Sequence, residues 1–333
     1  MHRAAKWVTL ILCCLGFATH FSIAESAGSE KSAGSVESPR SETKPTLQPL
    51  FSGEFSLQHI AKQVSFGPRI IGHPAKQQTL DYIQELLLSE ADKFVVQPFQ
   101  RHGLKGNNIW VSFYPDYPDY PDYPNKPSSA ARKRIMLGAH WDTRPVSDKD
   151  SDSERATQPV IGANDGGSGV AVLLEMARLL SAERAPIIVD LVFFDLEDMG
   201  DIDNLPFSIG ASEFVAKNRF YRPTAGVIVD MVCDRDLVIP REMFSRKGAP
   251  KLQDKIWHIA AQQQAEVFVD RDGSYISDDH LPFLKAGLKV VNLIHSPFPK
   301  SWHTSNDSIE RCSAKSLQQV GDVLVELIYT EPK

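Results

Sequence analysis

"PIIVDLVFFDLED", residues 186–198, is a nearly continuous apolar run that ends on Asp195, Glu197 and Asp198. A strand with one wet face alternates apolar with polar residues. This run does not, so it reads as a strand buried on both faces, as in a parallel sheet covered by helices. "RIMLGAHWD" (134–142), "AGVIVDMV" (225–232) and "LKVVNLI" (288–294) have the same character. Between and after them, "SGVAVLLEMARLLSAE" (168–183), "IGASEFVAKN" (209–218), "LQDKIWHIAAQQQ" (252–264) and "SAKSLQQVGDVLVELIY" (313–329) carry apolar residues at helical spacing. The alternation implies an α/β fold: a central twisted, mixed but largely parallel β-sheet flanked by helices. Ligands of such sheets bind outside the carboxyl ends of the strands. His140 and Asp142 follow the first buried strand, Glu197 and Asp198 the second, Asp230 ends the third, and His303 comes after the fourth.

Upstream, residues 54–67 and 75–90 read as two helices, and "KFVVQPFQ" (93–100) and "NNIWVSFY" (107–114) as two strands. "YPDYPDYPDYP" (114–124) follows, with proline at every third position, which forbids helix and central strand. The expectation is an extended loop joining a hairpin. The acidic run from Asp148 to Glu154 reads as a solvated loop, because it lacks the glycine and terminal Glu of a calcium-binding loop.

His2, Arg3 and Lys6 precede an apolar run from Trp7 to Ala18, and Ser22-Ile23-Ala24 fits a small-residue cleavage pattern. Residues 1–24 are therefore expected to be an export signal, with an uncleaved anchor as the alternative. Residues 25–50 have the composition of a disordered linker, and residues 51–333 are expected to be one catalytic α/β domain. The destination is periplasmic or secreted, with no stable membrane span in the mature form and a monomer expected. The net charge of -6 and the lack of a basic stripe exclude a nucleic-acid partner. Of four cysteines, two lie in the signal; Cys233 and Cys312 either pair or stay as buried thiols.

"AHWDT", "GANDGGSG", "FFDLED", "VDM", "SDDH" and "SWHT" each put a carboxylate or imidazole at a strand end or in a loop. One alone would be a cap or turn former, and Asp142, Asp165 and Asp195 carry that simpler reading too. Together on one rim, the carboxylates repel unless a cation sits among them. Mixed oxygen and nitrogen donors suit zinc. Adjacent acids leaving a strand point to different sides, so Glu197 and Asp198 are suited to divide proton transfer from metal binding.

"FGPRIIGHPAKQQTLDYI" (66–83), "HWD" (140–142), "GANDGGSGVAVLLEMAR" (162–178), "LVFFDLED" (191–198), "VIVDM" (227–231) and "DDHLPFLKAGLKVVNLIHSPFPKSWHT" (278–304) resemble the glutaminyl-peptide cyclotransferases. That family, the glutaminyl cyclases, lies within the zinc aminopeptidase-like fold family, and the resemblance runs from about Phe51 to Tyr329. It implies one zinc held by Asp165, Asp198 and His303, with Glu197 as general base and acid. It implies Asp230 and Asp278 as an acidic network beside Glu197, and Trp302, Phe298 and Ile276 as walls of the substrate pocket. His140, Asp142 and His280 are candidates for a second metal or for supporting the ligands of the first, with His280 better read as a structural histidine that fixes the Asp278 loop. The chain departs from the animal forms in carrying Asp198 where they have Glu, and in lacking a tryptophan in "MGDIDN".

The implied reaction is cyclisation of an N-terminal glutamine of a peptide or protein to pyroglutamate, with release of ammonia. The rival is a zinc aminopeptidase or related amidohydrolase with two metals about 3.5–4 Å apart. Its first ion would sit on His140, Asp165 and Asp230, its second on Asp165, Asp198 and His303. The block from Asp278 to His303 favours the cyclase, because a purely hydrolytic enzyme has no evident need of it.

Overall fold

The computed structural model describes residues 49–116 and 133–330. The expected export signal, nearly all of the expected linker and most of the Asp-Tyr-Pro repeat lie outside the described residues. In chain order the elements are α1 (Gly53–Phe66), α2 (Pro74–Leu87), β1 (Lys93–Arg101), β2 (Leu104–Phe113), β3 (Arg134–His140) and α3 (Gly167–Ala182). There follow β4 (Ile188–Phe194), α4 (Ile209–Lys217), β5 (Ala225–Asp230), β6 (Ile239–Arg241), α5 (Met243–Gly248) and α6 (Pro250–Gln262). Last come β7 (Phe268–Asp272), α7 (His280–Lys285), β8 (Val290–Ile294) and α8 (Ala314–Tyr329).

The main sheet has the order β1-β2-β4-β3-β5-β8. β4, β3, β5 and β8 run parallel, while β1 and β2 are antiparallel additions at one edge. The central strands obey the period-2 rule on two buried faces at once. Ile135, Leu137, Val189, Leu191, Phe193, Val227, Val229, Val291 and Leu293 face one core, which α1, α3 and α8 complete. Met136, Val192, Phe194, Ile228 and Val290 face a second core with Phe214 of α4 and Phe283 of α7. Both faces being dry is why the sequence shows continuous apolar runs. Among the described residues no helix is long and apolar enough to cross a membrane.

One expectation needs correcting. The segment that bears the Asp-Tyr-Pro repeat does not join a hairpin, since β2 and β3 lie on opposite sides of β4. The hairpin is β1–β2, closed by His102 and Gly103, both at positive φ (51° and 79°), the backbone that a two-residue turn between twisted strands requires.

The strand order also places the site. After β3 the chain adds β4 on one side, then crosses back to add β5 on the other. The crevice at this reversal opens at the carboxyl ends of β3 and β5. α3 starts over it and comes very close to β5: a Cβ at Gly169 would lie 2.2 Å from the Val229 carbonyl oxygen. Gly166, at φ 80°, makes the turn into the helix that leaves Asp165 at the mouth of the crevice.

Candidate active site

The carboxyl ends of β3, β4 and β5 deliver polar residues to this crevice. His140 ends β3, and its Nε2 lies 3.1 Å from both Asp165 Oδ1 and Asp230 Oδ1. Its Nδ1 is 3.5 Å from Asp142. β4 leads into a sharp turn with Leu196 at φ 58°. The Asp142 carboxylate accepts the N–H groups of Glu197 (3.0 Å) and Asp198 (3.2 Å), so it braces the turn that aims these two acids. Ser208 donates its hydroxyl to Glu197 at 3.2 Å. Asp198 Oδ1 sits 3.1 Å from His303 Nε2 and 3.2 Å from the Arg144 guanidinium.

Among the described residues three groupings of ligand-type atoms result, the atoms of each within 4.8 Å of one another: Asp165, Asp198 and His303; His140, Asp165 and Asp230; Glu197, Asp278 and Asp279. All are buried. The first suits a zinc ion on two counts. Its donors are two carboxylates and an imidazole. Asp198 Oδ2 is buried and has no hydrogen-bond partner, which is costly for a carboxylate oxygen that nothing else engages.

The electrostatics point the same way. Burial pushes Glu197 well above the ordinary carboxylate range; Asp278, Asp279 and Asp198 add to the rise and His140 opposes it. Burial, with Asp165 nearby, lifts Asp198 to about 6 despite His303. Burial lifts Asp230 to about 8, against the pull of His140. Burial acts against a charged His140, yet its contacts with Asp142, Asp165 and Asp230 raise it well above the usual imidazole value. Acids crowded until several of them prefer a proton are a poor arrangement for a protein alone, and a fitting one for a cation.

A cavity of about 380 Å³ opens over these acids, lined by Asp165, Glu197, Asp230, Asp278 and His303 at its base. Ile276, Phe298, Trp302 and Phe207 supply apolar wall. Trp302 stacks on His303, ring centroids 3.7 Å apart, and Phe298 packs on Trp302 at 4.4 Å. Asp278 is held by the Asn292 side-chain amide at 2.6 Å and by the Asp279 N–H at 2.5 Å. His280 lies 3.1 Å from Glu242, not against Asp278. Glu242 also accepts the N–H of Ile276 at 3.1 Å, so His280 braces the pocket wall through it.

Sequence reading missed several groups. Phe207 lines the side where "MGDIDN" offers no tryptophan; the signal was the aromatic just after that acidic turn. Asp279 is fully buried with neither oxygen hydrogen-bonded, and burial, then Asp278, raises it strongly. The acidic run is not wholly solvated. Asp148 pairs with Arg144 at 2.6 Å and lies 3.7 Å from His303 Nδ1, and Asp150 accepts the Ser305 hydroxyl at 2.6 Å. Cys233 and Cys312 form a disulfide.

The sequence profile of peptidase family M28 matches residues 123–328, more than half of the chain. This chain belongs to peptidase family M28. It is similar to the structure of Bacteroides thetaiotaomicron glutaminyl cyclase bound to N-acetylhistamine, at 30% identity and a TM-score of 0.77, over 86% of this chain and 100% of that one. Bovine glutaminyl-peptide cyclotransferase is 24% identical over 227 residues, which are 58% of this chain and 61% of that protein. Aminopeptidase YwaD of Bacillus subtilis (strain 168) is 28% identical over 214 residues, 60% of this chain and 41% of that protein. The matched region thus spans less than two thirds of either curated relative, one of them named a cyclotransferase and the other an aminopeptidase.

Proposed function

We propose that the chain is a zinc-dependent glutaminyl-peptide cyclotransferase that converts an N-terminal glutamine to pyroglutamate. The observation that carries this reading is the base of the cavity, where a buried Glu197 faces one space with Asp165 and His303, walled by Trp302, Phe298 and Ile276, and Asp198 lies close behind these two ligand-type residues. That space is small and partly apolar, suited to one glutamine side chain entering end-on. Asp165, Asp198 and His303 would hold the ion, whose chemistry is that of a Lewis acid toward the γ-amide carbonyl.

The chain's own residues do the rest. The pocket holds the substrate's α-amine near its γ-carbonyl carbon, so the attack is intramolecular and the effective concentration is high. Glu197 accepts the proton that the amine loses on forming the new C–N bond. It returns that proton to the departing nitrogen as the amide C–N bond breaks, and ammonia leaves. Asp278, fixed by Asn292, and Asp230, fixed by His140, border the route of this proton. The Trp302 ring, stacked on His303, limits water at the reacting carbon.

The second reading is a two-metal aminopeptidase, favoured by the buried His140–Asp165–Asp230 group and by the aminopeptidase relative. Incubation with a Gln-initiated and a Leu-initiated peptide, with and without chelator, separates them. Ammonia release from the first alone, lost on chelation, is expected. Free leucine from the second would overturn the cyclase in favour of the peptidase. The disulfide supports an exported, oxidising location, periplasmic or secreted.

A further inference from the structure

Asp165 and His303 come from segments far apart in the chain, and tertiary contacts hold those segments together. The polar backbone of residues 161–165 is engaged from two sides. On one side Arg69, fully buried, donates to the carbonyls of Ile161 (2.6 Å), Gly162 (2.7 Å) and Trp141 (3.2 Å). On the other, the buried carboxylate of Asp307 accepts the N–H of Asn164 at 2.9 Å and the N–H of Asp165 at 3.0 Å, one on each oxygen. The Asp307 carbonyl also accepts the Ala163 N–H, at 3.4 Å.

Asp307 stands in the segment that carries His303, so these bonds join the two segments directly. A third segment is drawn in: Asn164 Oδ1 accepts the Cys233 N–H at 2.9 Å, just beyond Asp230. Burying a carboxylate costs several kcal/mol, so a fold that needed only packing here would do better with an apolar side chain. What a carboxylate offers is two acceptors in a fixed fork for two consecutive N–H groups.

We propose that Asp307 is the positioning residue of the candidate metal centre: it sets Asp165 against His303 by bridging the segments that carry them. This rests on the reading of Asp165, Asp198 and His303 as the ligand set. Asp307 touches neither substrate nor the reacting atoms in that reading. Its effect passes through the place of Asp165.

Asp307→Asn keeps the size and replaces one acceptor with a donor, so one of the two N–H groups faces an NH2. In the full chain the zinc dissociation constant, measured by competition with a chromogenic chelator, is expected to rise about 10- to 100-fold. Amide exchange at Asn164 and Asp165, followed in chelator-treated protein, is expected to quicken. Tyr329→Phe serves as the structural control, because it removes a 2.6 Å bond to the Glu183 carbonyl at the far end of α3. It should lower the melting temperature and leave zinc affinity alone. Zinc affinity within about twofold of wild type in Asp307→Asn, despite faster exchange, would overturn the proposal, and so would unchanged exchange. If Asp307→Asn does not fold, Asp307→Ser takes its place with the same two readouts. A wild type that takes up no zinc would defeat the ligand reading, and exchange at Asn164 and Asp165 would still decide whether Asp307 holds the segment.

Discussion

Glu197 and Asp198 are neighbours in the chain, and their surroundings suit them to different work. Asp198 meets His303 and Arg144, groups that hold a carboxylate in place. The Glu197 side chain accepts the Ser208 hydroxyl and feels Asp278, Asp279 and Asp198 against the opposing pull of His140, surroundings that suit a group carrying a proton. Glu197→Gln is therefore expected to cut turnover by about 10²–10⁴-fold, the range for loss of a general acid–base group, with zinc content close to wild type by metal analysis. Loss of zinc in that variant would show that the two roles are reversed. The ligand-type residues were legible in the sequence because they cluster where apolar strands stop, as at His140, Glu197–Asp198 and Asp230, or in short polar motifs of the following loops, as at Asp165 and His303. Asp307 and Arg144 were not. Asp307 bonds to Asn164 across 143 residues of chain, and no local pattern encodes a partner that distant.

Helices and buried strands were legible for a related reason: their periodicity reflects which faces are dry, and α3 and β4 are dry nearly throughout. Pairing was less legible. The proline repeat is a loud local signal, yet β2 bonds to β4 and its hairpin partner is β1, outcomes decided by sheet assembly. A short element shows how such assembly reaches the site. α5 has six residues, too few to stand alone, and is fixed by Glu242 at its N-terminus. That carboxylate accepts the N–H groups of Phe244, Ser245 and Ile276. Burial acts to raise it, but His280 and these N–H groups hold it down to about 2. An unfolded Glu titrates near 4.3, so the folded group contributes stability at pH above that value and loses it as pH falls through about 2. The contribution is on the order of 3 kcal/mol near neutrality. Glu242→Gln should lower the urea midpoint at pH 7, measured with chelator present, and the gap should narrow between about pH 4 and about pH 2. A gap that stays constant with pH would mean that the charge is not the source.

The six-stranded sheet brings the strand ends to one rim, but it does not by itself hold the long excursions that leave that rim. The chain between Cys233 and Cys312 contains the whole wall from Ser274 to Asp278 and the Trp302–His303 pair, and its two ends meet at the disulfide. The bond spans 79 residues, a long closed loop, and such cross-links act mainly by restricting the unfolded chain. The isolated bridge between Asp234 and Cys312 and the Ser313 N–H bonded to the Cys233 carbonyl at 2.7 Å keep the two strands of chain adjacent in the fold without it. The paired change Cys233→Ala with Cys312→Ala should therefore leave the fold intact by circular dichroism and lower unfolding free energy in urea by about 2–4 kcal/mol. Since the hydrogen bonds that position Asp165 come from the Asp307 carboxylate, with the Cys233 backbone N–H on Asn164, turnover at a temperature well below the melting point should stay near wild type. An unchanged urea midpoint would show that the two thiols do not pair. A collapse of turnover in a stable, folded variant would instead make the disulfide part of the machinery that shapes the pocket.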